Sequence, residues 1–138
     1  MRHDLKTLTI LFRAHKAMLD VMRDDVRQHG ISVTAFGVLE ALYHKGPLDV
    51  KTITERVLVA DSSMSYTLEK LGERGFIVRE KNPDDGRGKI VKLTSSGEAF
   101  MAAIYPAHHE RLRKRLDVLD ATDEATLRVL LKRLGKGA

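Results

Sequence analysis

A chain of 138 residues with 43% hydrophobic side chains can fill one core, and chains this short bury a modest share of their surface, so a partner subunit is a natural supplement. The absence of cysteine removes disulfides, thiol nucleophiles and thiolate metal sites, and a formal net charge of +5, spread along the whole chain, is compatible with a polyanionic partner without demanding one. No run approaches the roughly 18 apolar residues of a membrane span, and the opening MRHDLKTLT lacks a signal-type apolar stretch, so the expectation is a cytoplasmic protein with no membrane partner.

Leu5, Leu8, Phe12, His15, Leu19, Met22 and Val26 recur at steps of three and four, which predicts one long helix ending at Gly30. A seam of this length suits packing between helices or between subunits. Ser32 can cap a second helix carrying Phe36, Leu39 and Leu42, which stops at KGP (45 to 47). Asp49 can cap a shorter one with Val50, Ile53 and Val57 facing inward. After LVADSS (58 to 63) a further helix begins, with Asp61 or Ser62 as its cap and Met64, Leu68 and Leu71 on its buried stripe, and closes at Gly75.

The segments FIVRE (76 to 80) and KIVKLT (89 to 94) are β-rich, and PDDGRG between them is a turn, so the pair predicts a hairpin with Arg87 projecting from its tip. Beyond it, Ser95 and Glu98 have the spacing of a capping box, which starts a helix near Ser96 carrying Met101, Ile104, Leu112 and Leu116. Pro106 should kink or break that helix, because its ring removes a donor and crowds the preceding turn. A last helix follows Asp120, with Asp123 and Glu124 in its first turn and Lys132 and Arg133 near its end, as the helix dipole prefers. Leu127, Leu130, Leu131 and Leu134 form its apolar face. Internal repeats and low-complexity linkers are absent from the sequence.

Helices leading into a hairpin are the plan of a winged helix-turn-helix, in which one helix enters a major groove and the hairpin reaches a neighbouring groove. The fold class expected is therefore mainly α with a small β-hairpin wing, framed by N- and C-terminal helices. If Met64, Leu68 and Leu71 are buried, then Ser62, Ser63, Ser65, Tyr66 and Lys70 lie on the outer sides of the recognition helix. Small hydroxyls at a helix start can approach phosphates and base edges closely, aided by free amides and the positive end of the dipole. Lys70, Arg74 and Lys89 are the expected phosphate contacts. Arg87, on a narrow stalk between glycines, suits a minor groove, and Asp85 is placed to pair with it and fix its direction.

Asp85, Arg87, Val91, Leu93, Thr94 and Gly97 fit the wing pattern D-x-R-x-x-x-V-x-L-T-x-x-G, and the chain resembles the MarR family of bacterial winged-helix transcription regulators through this string. The resemblance extends to ISVTAFGVLEAL (31 to 42), LEKLGERGFIVRE (68 to 80) and LDATDEATLRVLLKRL (119 to 134). It implies a homodimer whose first and last helices intertwine (1–30 and 95–138) around a DNA-binding lobe (31–94). It further implies a repressor on a palindromic operator, released by a small aromatic or phenolic compound that binds between the two lobes. Two positions depart from the pattern. Gly72 stands where members carry a charged or polar helix former, weakening the end of the recognition helix by on the order of 1 kcal/mol relative to alanine. The first helix also lacks the cysteine of the family's thiol-sensing members.

Other features have plainer readings. His15, on the first helix's seam, is the best single candidate for lining an effector pocket, although a histidine there also serves as an interfacial residue. The basic run RLRKR (111 to 115) lies on a dimerisation helix and reads as a solvated face. His108, His109 and Glu110 do not form a joint metal site, because adjacent histidines point to different sides of a helix. No metal, cofactor or catalytic residue is expected, and no nucleophile elbow or P-loop occurs. The alternative to a DNA-binding regulator is a winged-helix protein-interaction module that never meets DNA.

Overall fold

A computed structural model of the chain describes residues 2–84, 86 and 88–137. In chain order the elements are α1 (Lys6–Arg27), α2 (Val33–Lys45), β1 (Leu48–Asp49), α3 (Val50–Arg56), α4 (Met64–Glu73), β2 (Ile77–Lys81), β3 (Lys89–Leu93), α5 (Ser95–Leu116) and α6 (Ala121–Lys136). The fold is thus mainly helical with a small antiparallel sheet, as expected, but the sheet has three strands in the order β1-β3-β2. The added strand pairs Leu48 with Val91 and Asp49 with Ile90. Two residues carry too little alternation to be seen in a sequence.

Helix α2 is the axis of the core. Its Phe36, Val38, Leu39 and Leu42 are all buried, and around them gather Ile53, Leu68, Leu71, Ile77, Val91 and Met101 from α3, α4, the sheet and α5. A helix touched on so many sides must be apolar all round, and the run VTAFGVLEAL meets that requirement. Ser32 and Asp49 cap their helices as expected and Asp120 caps the last one, each side chain accepting from the amide three residues on.

Two other helices start differently from expectation. The cap of α4 is Ser63, which accepts from Tyr66 N, rather than Asp61 or Ser62. Asp61 is turned toward the start of α2 instead. The cap of α5 is Thr94 rather than Ser95: its hydroxyl accepts from Gly97 N and donates to the carbonyl of Gly75, a second partner that Ser95 could not reach from inside the helix. Helix α5 also runs unbroken through Pro106. The proline lies on the exposed side, as does Ala102 one turn earlier, so the carbonyl that loses its helical donor can be met by water. Gly72 likewise leaves α4 intact to Glu73, and the helix closes at Gly75 with φ +77°, Gly75 N bonding Gly72 O and Phe76 N bonding Leu71 O.

One buried polar group joins three helices. Asp25 of α1 and His108 of α5 are each almost wholly buried and meet at 2.7 Å, and the His108 ring lies 4.1 Å from that of Phe36 on α2. Arg111 reaches the other Asp25 oxygen at 3.2 Å. Farther out, the start of α1 and the whole described length of α6 are bare. Leu5, Ile10 and Phe12 on and beside α1 are more than 60% exposed, and no described residue of α6 is buried.

Candidate nucleic-acid interface

The presentation of α4 begins with its buried side. Leu68 and Leu71 lock into the core and Met64 is half-buried, which leaves Ser63, Ser65, Tyr66 and Lys70 exposed on the outer sides of the helix. Ser63 is occupied as the cap, so its hydroxyl fixes the first turn. Ser62 is half-buried, its hydroxyl 2.8 Å from that of Thr67. Ser65 and Tyr66 are the freer groups, with Tyr66 55% exposed. Lys70 spans 5.5 Å to the Tyr66 ring and 3.3 Å to Glu73. The hydrogen bond and charge of Glu73 hold the Lys70 ammonium above the ordinary lysine range.

Arg74 stands apart from this group. Its guanidinium donates to the Gly30 carbonyl at 2.9 Å and lies over Phe76 and Phe100, at 4.7 and 5.6 Å from the ring centroids. The two rings stack on each other at 4.4 Å. Arg74 therefore ties the end of α4 to the turn after α1 and to the start of the wing, at the opposite end of the helix from the serines.

The wing pairs β2 with β3 in the register Ile77–Leu93 to Lys81–Lys89. Asn82 N donates to Gly88 O at 3.0 Å to close the hairpin, and Lys92 pairs with Glu80 at 2.7 Å. Lys89 is exposed at the start of β3, opposite Lys81, so two lysines flank the base of the tip. Asp85 and Arg87 lie outside the described residues. Ser63, Tyr66 and Lys70 share one helix face, with Ser65 round to its side; Arg74 and Lys89 are on other parts of the molecule.

His15 is exposed on α1. A separate cavity of about 260 Å³ opens between α1, α2 and the segment after α3, lined by Met22, Phe36, Glu40, His44, Val57 and Leu58 among others, and His15 is not among its walls. Nearby, Tyr105 of α5 stands 4.9 Å from His44 ring to ring; burial, then the charge of Glu40, pushes its phenol above the ordinary range. The basic run is partly spoken for: Arg111 binds Asp25, and Arg113 binds Asp117 and Glu124. Among the described residues no cluster of metal-binding side chains occurs.

The sequence pattern described as the MarR family matches residues 29–88, which span α2 to the wing. The HTH-type transcriptional regulator MhqR of Bacillus subtilis is 31% identical, the alignment covering 97% of this chain and 92% of that protein. The chain belongs to the MarR family. A second Bacillus subtilis regulator of the helix-turn-helix type, YkoM, is 35% identical over 91% of this chain and 82% of its own length. Among solved structures, NadR in complex with 4-hydroxyphenylacetate is 25% identical, covers 99% of this chain and 96% of that one, and superposes with a TM-score of 0.77. As a MarR-family member this is a DNA-binding transcriptional regulator and not an enzyme. No described helix is long and apolar enough to cross a membrane.

Two features escaped the reading of the sequence. Asp25 follows Met22 by three and precedes Val26, and His108 follows Ile104 by four and Met101 by seven, so both polar residues sit on apolar stripes. Here both are buried and each supplies the other's partner. The contact between Asp61 and Thr34 carries no comparable signal.

Proposed function

We propose that the protein is a repressor that binds a palindromic operator as a homodimer and is released by a small phenolic ligand. The observation that carries the reading is the open first turn of α4, where Ser65 and Tyr66 are exposed beside free helix amides and the Lys70 cation. In this reading Ser62, Ser63, Ser65, Tyr66 and Lys70 serve the major groove, and Arg87, oriented by Asp85 and flanked by Lys89, serves the adjacent minor groove.

Dimerisation is supported by the leucines of α6 and the apolar residues of the first turns of α1, which are left bare by a lobe that is otherwise well packed. A two-fold axis through this stem would set two recognition helices about one DNA turn apart. His15, on the same stretch of α1, would then stand at or near the subunit contact.

The effector reading draws on the cavity beside α2, whose size suits a single aromatic ring and whose walls join apolar Met22 and Phe36 to polar Glu40 and His44. NadR, solved with 4-hydroxyphenylacetate, supplies the choice of a phenolic acid. Val57 and Leu58 of the cavity wall belong to the segment leading into α4, so a ligand there would act on the start of the recognition helix. To shift the equilibrium it must bind the DNA-incompetent conformer more tightly.

Footprinting on the DNA flanking the gene, repeated with a panel of phenolic acids, tests the reading. A protected palindrome lost on addition of one phenolic supports it. Protection that no phenolic changes removes the effector, and affinity that stays flat between low and physiological salt favours a protein-interaction module instead.

A further inference from the structure

The loop between α3 and α4 is seated on α2 at two points. At one end Val57 rests over Gly37, where a β-carbon would come 3.2 Å from Val57 Cγ1. At the other end Asp61 and Thr34 form a reciprocal clasp. The Asp61 carboxylate accepts from Val33 N and Thr34 N, both at 3.3 Å, and from the Thr34 hydroxyl at 2.8 Å. The same hydroxyl accepts from Asp61 N at 2.7 Å and from Ser62 N at 3.2 Å. Thr34 is 0% exposed whereas Asp61 lies at the surface, so it is the Thr34 hydroxyl that finds no water when its partners are lost.

The clasp stands immediately before the surface that faces DNA. Its next two residues are Ser62, bonded to Thr67, and Ser63, the cap of α4. Both ends of the short path from α2 to the first turn of α4 are therefore fixed, and the exposed Ser65 and Tyr66 inherit their position from it. We propose that Thr34 and Asp61 are positioning residues for DNA binding, which hold the first turn of the recognition helix in the orientation that meets the groove. Neither needs to touch DNA. Without the clasp the helix start must be ordered at the moment of binding, and that ordering is subtracted from the affinity.

The inference rests on the DNA-binding role of the family, and the test separates the two. A duplex selected by the wild-type protein from a randomised pool is titrated with Thr34→Val, Thr34→Ser and Asp61→Asn, at a temperature where circular dichroism shows each variant folded. Thr34→Val keeps the shape and removes the hydroxyl; its affinity is expected to fall about tenfold, the equivalent of one or two hydrogen bonds, while Thr34→Ser stays within about twofold of wild type. Asp61→Asn, which replaces an exposed loop residue and does not enter the core, should fall in the same direction as Thr34→Val and keeps the proposal testable if that variant does not fold. The slope of affinity against salt should be unchanged, whereas losing a direct phosphate contact would lower it by about one. Folded Thr34→Val or Asp61→Asn protein that binds as tightly as wild type, whatever its melting temperature, overturns the proposal. A pool from which the wild-type protein selects nothing removes the DNA reading and the positioning role with it.

Discussion

Gly97 lies directly beneath the carbonyl of Phe76, so close that a β-carbon on it would overlap that oxygen, with Leu93 Cδ2 a further 3.1 Å neighbour. The carbonyl is held in place because it also accepts from Thr94 N. Threonine and glycine three apart are thus one device: the threonine caps α5 and bonds the end of the α4 turn, and the glycine lets the helix start pass under the wing. Gly97→Ala should destabilise the protein by about 3 kcal/mol, since the obstacle is backbone and cannot rotate away. Denaturant midpoints compared at equal protein concentration check this, and a midpoint within error of wild type would refute the contact.

The Asp25–His108 pair should behave as one unit. Asp25→Ala removes the partner of a buried ring and of the Arg111 guanidinium, and is expected to cost about 3–5 kcal/mol. The double substitution Asp25→Ala with His108→Ala should cost clearly less than the sum of the single changes, because residues in direct contact are coupled. Arg111→Ala, at a side chain 49% exposed, should cost no more than about 1 kcal/mol. Additive single and double variants in chemical unfolding would count against the pair.

Acid should loosen the clasp between Asp61 and Thr34. Burial pushes the Asp61 carboxyl up, but the hydrogen bonds from the Thr34 hydroxyl, Thr34 N, Val33 N and its own amide outweigh it and hold the group below the ordinary 3.8. A carboxyl with a depressed pKa in the folded state contributes stability that is complete above the ordinary value and is lost as pH falls through the lower one. Melting curves from about pH 6 down to about pH 2 should therefore show a steeper acid limb in wild type than in Asp61→Asn. Parallel limbs would show that the clasp does not titrate.

Arg87→Ala should leave folding within about 0.5 kcal/mol of wild type while weakening DNA binding. The loss should be larger on operators with A·T-rich flanks, where a narrow minor groove concentrates negative potential. Asp85→Ala should do less harm, and the pair of changes should be little worse than Arg87→Ala alone. Titrations with both classes of duplex decide; equal binding by Arg87→Ala and wild type would make this arginine an ordinary turn residue.

Much of the architecture is legible in the sequence because its helices are long and their apolar residues keep one period. Local chemistry decides less where it is repeated. Asp61, Ser62 and Ser63 can all cap a helix, as can Thr94, Ser95 and Ser96, and the choice falls to partners far along the chain: Thr34 draws Asp61 away from α4, and Gly75 selects Thr94. Arg74 reads as a phosphate contact, and the sequence gives no sign that its guanidinium also donates to a carbonyl 44 residues earlier. The exposed face of α4 followed correctly from its buried face, since burial of Leu68 and Leu71 settles where Ser65 and Tyr66 must point.

The junction of α1 and α5 also bears on how the chain is made. Asp25 and His108 are 83 residues apart, so at a synthesis rate of roughly 5–20 residues per second the carboxylate waits about 4–17 seconds for its partner to be added. Met101 and Ile104, which complete the core around α2, precede His108 by only a few residues. A nascent chain that ends at the wing therefore still exposes the inner side of α2 and an unmatched acid. The core around α2 is completed by the first half of α5, so it cannot close before Met101 and Ile104 have been added to the chain.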